Sequence, residues 1–450
     1  MSGLGRHASR PRETRPAGAG GGITDAGVAE PEVDAQAGTE ELSPLRQALV
    51  KWAQGADAAC LVTPLKRALD SDGVPRDWAL PVWTEALQLL ARARGFRPGS
   101  WPKEANARIE DLLRSLLRFS RPDGSIVFGS RDDCARQAEA LAYWASRLSD
   151  ARSARLVDDW FGLAERKHKP RGSPPLPAHA CTDRPLAMLR ANWSRQGDWL
   201  AIDHRAAGAA CPLELAAFGQ VLLGPEWASG LEGLPGGLPK PTLWKTGPSA
   251  DVAEWRFRTD AGKVVRTAVF LRGRQLALLA DEVDSRAPHA SMRIGIGAGV
   301  EAHALADSRA LRLNAGRVSA RVLPLALPAL PYPSERGSIE IDGRSLVLCQ
   351  RTEGKRAWLP LLVSWNPERN RKPVHWRVLT VTERSTVLGP HLAMAIRVSW
   401  GSDSFVFFRS LNRTDRRAFL GHPTAARFLV GLFTKKGDVK KLFSVGDEED

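Results

Sequence analysis

Tyrosine is nearly missing from this chain of 450 residues, which has two against fifteen tryptophans. Chemistry that needs a phenol has few residues to draw on, and Tyr143 is the one tyrosine in the helical first part. Cysteine is also thin. Cys60, Cys134, Cys181, Cys211 and Cys349 are odd in number and far apart, which excludes a disulfide framework and any C-x-x-C zinc spacing. The longest apolar run, 322–333, is short and broken by prolines, so no bilayer-spanning segment is expected. The N-terminus lacks the apolar stretch and cleavage site of a secretory signal. A cytoplasmic, reduced protein is therefore the expectation. Also missing are a G-x-x-x-x-G-K-S/T loop, a G-x-G-x-x-G turn opening a helix and a G-x-S-x-G elbow. No cofactor is implied. No basic run reaches five residues although the net charge is +14. The excess is mostly scattered arginine, which reads as a compositional habit more than as a polyanion-binding stripe. The charge favours nucleic acid, but no recognised module supports it, so nucleic acid is disfavoured as a partner.

What is present falls into segments. Residues 1–40 are rich in Gly, Ala, Pro and charge, bury too little to order themselves and read as a disordered tail. Across 41–168 apolar residues recur at three and four spacing, predicting helices over 44–52, 58–69, 78–94, 103–119, 133–148 and 151–167. The fourth carries one stripe of Ile109, Leu112, Leu113, Leu116 and Leu117, opened by Pro102 and stopped at Pro122-Asp123-Gly124. Short connections predict three antiparallel hairpins. Residues 169–185 hold five prolines and read as an extended linker. From 186 to 446 short β-rich runs follow one another without helical segments, and an acidic tail closes the chain at 447–450. Strands are expected at 199–204, 213–218, 252–258, 264–271, 276–283, 292–296, 317–323, 345–351, 359–365, 376–382, 392–400, 405–410 and 427–433. So many antiparallel strands imply a large β-sandwich. Together these segments make an α+β multidomain chain. No internal repeat is visible beyond the strand pattern.

The stretch from Leu186 to Trp227, where the pattern changes, is densest in polar and aromatic residues. Its Leu189-Arg190 and Trp193, the run Gly197 through Asp203, then Leu213-Glu214-Leu215 with Gly219 and Leu222-Leu223, resemble the heparinase II/III-like family of polysaccharide lyases. The run from Arg266 to Asp284 adds a strand pair ending in Asp-x-Val that is similar to that family's sandwich. The resemblance reaches from about residue 41 to the C-terminus. It implies an α/α toroid, here reduced to three hairpins, joined to a β-sandwich, and eliminative cleavage of a uronic-acid polymer. The chain departs from the family where chemistry would sit. The loop between the Asp203 and Leu213 strands, 205–212, has no histidine and no carboxylate, where family members carry a His-rich stretch ending in Asp. Gly224-Pro225 stands where an Asp is usual. These losses argue against a bound metal.

β-Elimination needs a group to neutralise the uronate carboxylate, a base for the C5 proton and an acid for the leaving oxygen. Tyr143, His204 and Glu214 are the candidate catalytic residues. Arg190, Trp193, Trp199, Arg205 and Trp227 are candidates for substrate binding, as cations and stacking faces. Each has an ordinary reading. Tyr143 sits among Leu141, Ala142 and Trp144, where packing explains it; His204 ends a strand; the tryptophans suit a core. Glu214 alternates with Leu213 and Leu215, so it faces solvent unless that side meets the helices. His179, in the linker, reads as exposed. Two functions stand open: a protein that binds, with or without eliminative cleavage, an anionic polysaccharide, or a non-catalytic binding or structural protein that keeps the scaffold without the site. Oligomeric state is left open.

Overall fold

The structure, a computed structural model, describes residues 40–129, 134–148, 157, 160–161, 176–181, 184–206, 208–231, 236–352, 354–412 and 416–446. The expected N-terminal tail lies outside them, except for its last residue. The helices are α1 (Ser43–Ala53), α2 (Ala59–Ala68), α3 (Leu80–Phe96), α4 (Lys103–Arg118) and α5 (Cys134–Leu148). Ile109, Leu112, Leu113, Leu116 and Leu117 are all buried, so the predicted stripe is the inner face of α4. The sixth expected helix lies outside the described residues except Val157, Trp160 and Phe161, which are helical and buried.

One repeat escaped the sequence reading. After α2, Asp70 N donates to Val74 O at 3.0 Å, Gly73 N returns to Asp70 O at 3.3 Å, and Leu69 bridges Pro75. After α4, Arg121 N donates to Ser125 O at 2.7 Å, Gly124 N returns to Arg121 O at 3.0 Å, and Ser120 bridges Ile126. The two turns share little sequence beyond Asp-Gly. Gly73 and Gly124 hold φ of 76° and 91°. A Cβ on Gly73 would lie 2.3 Å from the Asp111 backbone, and one on Gly124 2.5 Å from that of Ala138. Only glycine lets these turns tuck against α4 and α5.

The strands begin with β1 (His179–Ala180), β2 (Leu186–Arg190), β3 (Trp199–Asp203), β4 (Ala210–Ala217) and β5 (Gln220–Ser229). They continue through β6 (Lys240–Thr246), β7 (Ala250–Thr259), β8 (Gly262–Leu271), β9 (Leu276–Ser285) and β10 (His289–Ile296). Next come β11 (Glu301–Ala304), β12 (Leu311–Ala315), β13 (Val318–Pro324), β14 (Gly337–Asp342), β15 (Ser345–Arg351) and β16 (Arg356–Ser364), then the short helix α6 (Pro367–Asn370). The last are β17 (Val374–Leu379), β18 (Val381–Glu383), β19 (Thr386–Val387), β20 (Ala393–Trp400), β21 (Asp403–Ser410), β22 (Arg417–Phe419), β23 (His422–Thr424), β24 (Phe428–Phe433) and β25 (Val439–Val445).

These strands form antiparallel sheets. The first runs β1-β2-β3-β4-β5-β10-β15-β14 and the second β11-β12-β13-β16-β9-β8-β7-β6. Their facing side chains, among them Leu200, Ile202 and Leu215 against Phe257, Leu279 and Leu361, make the sandwich core. A third sheet, β17-β20-β21-β24-β25, covers the other side of the second, packing Ile396, Phe405 and Phe428 on Val269, Leu278 and Trp358. The second sheet is therefore covered on both sides. That explains the unbroken burial of β8, β9 and β16 over most of their length, where a two-layer sandwich would alternate. The small sheet β19-β18-β22-β23 flanks the third. On the outer side of the first sheet, Leu186, Met188, Trp199, Ala201 and Ala216 join the core of the helices. The order of layers is helices, first sheet, second sheet, third sheet.

Part of the Pro-rich stretch 169–185 belongs to the first sheet: β1 pairs with β2, placing His179 opposite Met188. His179, expected exposed, is instead half-buried. Burial, and then Arg118, push its pKa down to about 4. No helix among the described residues is long and apolar enough to cross a membrane.

Candidate functional site

Alternation along β2, β3 and β4 sends Arg190, Trp199 and Glu214 to the helix side of the first sheet, while Leu189, Leu200, Leu213 and Leu215 enter the sandwich. Arg190 pairs across the strands with Trp199, and Ala201 with Glu214, so the three polar or aromatic side chains are neighbours on one face. The turn after α4 closes over them. Arg121 donates from Nε to Glu214 Oε1 at 2.8 Å and from Nη2 to Oε2 at 2.5 Å. Trp199 Nε1 donates to Oε1 at 3.0 Å, and the backbone N–H of Phe128 donates to Oε2 at 3.1 Å. Glu214 thus accepts four hydrogen bonds, which fills the capacity of a carboxylate. Arg121 is held in turn by Ser125 Oγ at 2.8 Å and Gly129 O at 3.3 Å. Both partners of the ion pair are buried, with side-chain exposures of 4% and 5%.

Arg190 is fully buried in an aromatic cage. Its guanidinium lies 4.8 Å from the ring centre of Trp160, 5.3 Å from Trp193 and 5.5 Å from Trp199. Nη2 donates to Ser120 O at 2.8 Å, but Nε and Nη1 have no partner among the described residues. Burial lowers its pKa to about 9, and nearby Glu214 resists that shift. Cation–π attraction therefore stands in for part of the hydration that Arg190 has lost.

His204 and Trp227 lie on the opposite side of the same sheet. There Arg266 of β8 grips Asp281 of β9 through Nε at 2.9 Å and Nη2 at 3.0 Å, both residues fully buried. Arg266 Nη1 donates to Trp227 O at 3.0 Å and to Cys211 Sγ at 3.2 Å, and it lies 3.3 Å from His204 Nε2. A guanidinium only donates, so His204 Nε2 must present its lone pair and the ring is neutral. Burial first, and then Arg266, push its pKa down to about 3. The Trp227 ring lies under Arg266 at 4.5 Å. Burial also pushes the Cys211 thiol up to about 11.

Of the other candidates, Tyr143 and Arg205 stand apart, while Trp193 belongs to the Arg190 cage. Tyr143 is 46% exposed on α5, its hydroxyl accepting from Arg147 Nη2 at 3.0 Å and its ring edge-on to Trp144. Packing does not account for Tyr143 as the apolar pattern around it suggested. Arg205 is spent on Asp203, at 2.9 and 2.8 Å, and on Trp78 O at 2.9 Å, tying the end of β3 to the approach of α3. Trp193 is half-buried beside Trp160, with ring centres 4.9 Å apart. The structure brings together Arg190, Trp193, Trp199 and Glu214. It does not bring Tyr143, His204 or Trp227 to them. Sequence reasoning missed Arg121, 93 positions from Glu214, and the Arg266–Asp281 pair. A signal for the pair was present: Arg266 and Asp281 sit next to long apolar runs, and β8 and β9 place them directly opposite each other. Among the described residues no group of three or more His, Cys, Asp or Glu is placed to hold a metal.

No protein-family model matches the sequence, and no curated protein matches it. Similarity appears in three dimensions. The heparan sulfate lyase HepC from Pedobacter heparinus superposes with a TM-score of 0.61 at 12% identity, over 83% of this chain and 65% of the lyase. A heparinase III described as the BT4657 gene product gives 0.61 at 10% identity, over 82% and 65%. A further heparinase III structure gives 0.58 at 10% identity, over 79% and 63%. This chain spans less than two thirds of the length of these lyases. At such identities the likeness establishes a structural relationship to the heparinase III fold.

Proposed function

We propose that this protein binds an anionic, uronic-acid-containing polysaccharide on a lyase-type scaffold, and that the residues standing where elimination chemistry is expected serve structure instead. The observation that carries this reading is the separation of the three groups elimination would need together. Tyr143 is exposed on α5, Arg190 is sealed between helices and sheet, and His204 is neutral inside the sandwich. A base, an acid and a carboxylate-neutralising cation must surround one sugar unit for the reaction to proceed. Glu214, its lone pairs already filled, acts as the anchor for Arg121 and Trp199. Support for the polysaccharide comes from the fold shared with heparan sulfate lyases and from the net charge of +14.

Retention on immobilised heparan sulfate, compared with a neutral glucan and with DNA, tests the binding half of this reading. The protein should hold to the sulfated polymer at low salt, release as salt screens the charges, and pass the neutral glucan. DNA should retain it more weakly than the uronate polymer does. Equal elution from the charged and the neutral polysaccharide would overturn the proposal.

A further inference from the structure

The far edge of the first sheet, away from the helices, holds a pocket of about 570 Å³ that none of the groups described above enters. Its walls come from the approach to β14, the end of β15, the turn into β16, and the segment that leads into β20 of the third sheet. The volume falls within the roughly 300–1,000 Å³ of small-molecule sites. Three arginines line it, Arg336, Arg351 and Arg356, against the single carboxylate of Glu335 among the described lining residues. Arg356 is committed: its Nε meets Asp284 Oδ2 at 3.2 Å and its Nη1 reaches Leu411 O. Arg336 and Arg351 are exposed, and among the described residues their guanidinium groups have no hydrogen-bond or ion-pair partner. Two exposed cations on a concave surface, outnumbering the one carboxylate among its described lining residues, favour an oxyanion.

Two buried polar atoms add a second, independent requirement. Gln350 is 8% exposed, and its Oε1 is buried without a hydrogen-bond partner. His391 Nδ1 is likewise buried and unpaired. Both residues line the pocket. Buried polar atoms are nearly always satisfied, so unpaired ones at the wall of a cavity point to a partner that arrives from outside. A carbonyl oxygen can only accept, and it therefore asks for a donor such as a hydroxyl. The His391 ring is also fixed closely by backbone. A Cβ on either Gly354 or Gly389 would come within 2.7 Å of it, so two glycines clear the space in which the ring sits.

We infer that this pocket binds a saccharide acid: a single sugar unit whose carboxylate or sulfate meets Arg336 and Arg351 while its hydroxyls donate to Gln350. The inference does not depend on polysaccharide binding elsewhere, because a free monosaccharide acid satisfies it.

Calorimetric titration of the whole chain with glucuronate, glucose and inorganic sulfate separates the sources of the oxyanion. Glucuronate should saturate one site, and glucose should bind at least about tenfold more weakly. In R336A/R351A, where only exposed side chains are removed, glucuronate affinity should fall by at least about tenfold with the melting temperature unchanged. Should that variant fail to fold, R351E provides the same comparison by reversing one charge. Gln350→Met should weaken glucuronate but not sulfate, because only the sugar brings hydroxyls. Equal affinity for sulfate and glucuronate would overturn the saccharide assignment. Failure of glucuronate to saturate, or affinity unchanged in R336A/R351A, would overturn the site. Loss of retention on heparan sulfate with glucuronate binding intact would count against the polysaccharide reading alone.

Discussion

Arg121, Glu214 and Arg190 form a buried set in which the charges are unequal in role. Glu214 is saturated and bidentate with Arg121, whereas Arg190 has two nitrogens without a hydrogen-bond partner among the described residues and packs against three indole faces. Removing one partner of a buried pair strands the other, at a cost of about 3–5 kcal/mol, while replacing a buried charge by an apolar group of similar volume is often neutral or stabilising. Denaturant unfolding should therefore show Glu214→Ala destabilised by about 3–5 kcal/mol and Arg190→Met near wild type or above it. Equal losses in both variants would show that Arg190 is paired as tightly as Arg121.

His204 makes a pH prediction at the same scale. Its folded pKa is about 3 against an ordinary value of 6.5. Above 6.5 neither state holds the proton. As pH falls below that value the unfolded chain takes up a proton that the folded chain refuses, so stability is lost progressively down to about 3, at up to about 1.4 kcal/mol per pH unit. His179, held near 4, adds to the same loss over a narrower window. Unfolding midpoints measured from neutrality to about pH 4 should fall, and His204→Gln, which cannot take the proton, should flatten the slope. An unchanged slope in that variant would place the titration elsewhere. Arg190, Trp199 and Glu214 were each legible as candidates, but their meeting on one face was not, because the strand that carries Arg190 was not expected and its pairing with β3 is long-range information. Arg121 was not, because its partner lies in another layer and local patterns carry no record of it.

At the scale of elements, each junction between layers carries at least one buried arginine. Arg121 and Arg190 serve helices and first sheet, and Arg266 joins first and second sheets. Arg409 of β21 spans second and third, donating from Nε and Nη2 to Glu282 at 2.9 and 2.7 Å and from Nη1 to Glu254 at 2.9 Å. Arg409→Ala would leave Glu254 with Arg427 and the hydroxyls of Thr242 and Thr267, and Glu282 without this partner, costing about 3–5 kcal/mol. Hydrogen exchange should then accelerate in β20 and β21 before the first sheet, since the third sheet loses one of its ionic ties to the second. Uniform acceleration across all sheets would contradict a local tie.

The helices α1 to α5 and about half of the strands could be read from the sequence pattern, as α4 and β3 illustrate, while β1, β2, β5, β6 and β11 were among those missed. The third sheet could not be assigned as a separate layer, because an apolar run such as β9 reads the same whether one or both faces are covered. The repeated turns after α2 and α4 were hidden for another reason. They share backbone hydrogen bonds and a glycine conformation, and hardly any side chains.

For the whole molecule, the buried arginines change the meaning of the charge. Arg121, Arg190, Arg266, Arg369, Arg409 and Arg417 are all buried, so part of the arginine content holds layers together and offers nothing to a polyanion. What remains exposed, including Arg336 and Arg351, is the part available for ligand. The heparinase III fold persists at 10–12% identity because burial patterns, turn geometry and interlayer contacts can be met by many sequences, while elimination demands particular groups at particular distances. Here the helix-facing row of the first sheet holds a saturated carboxylate, Glu214, and a caged cation, Arg190.

The most direct test is incubation of the whole chain with heparan sulfate and other uronate polymers, following the ultraviolet absorbance of unsaturated uronic products while binding is measured on the same samples. The account predicts retention of the polymer with no rise in absorbance, and the same silence in Tyr143→Phe. Product formed by the wild-type chain and abolished in Tyr143→Phe would contradict it.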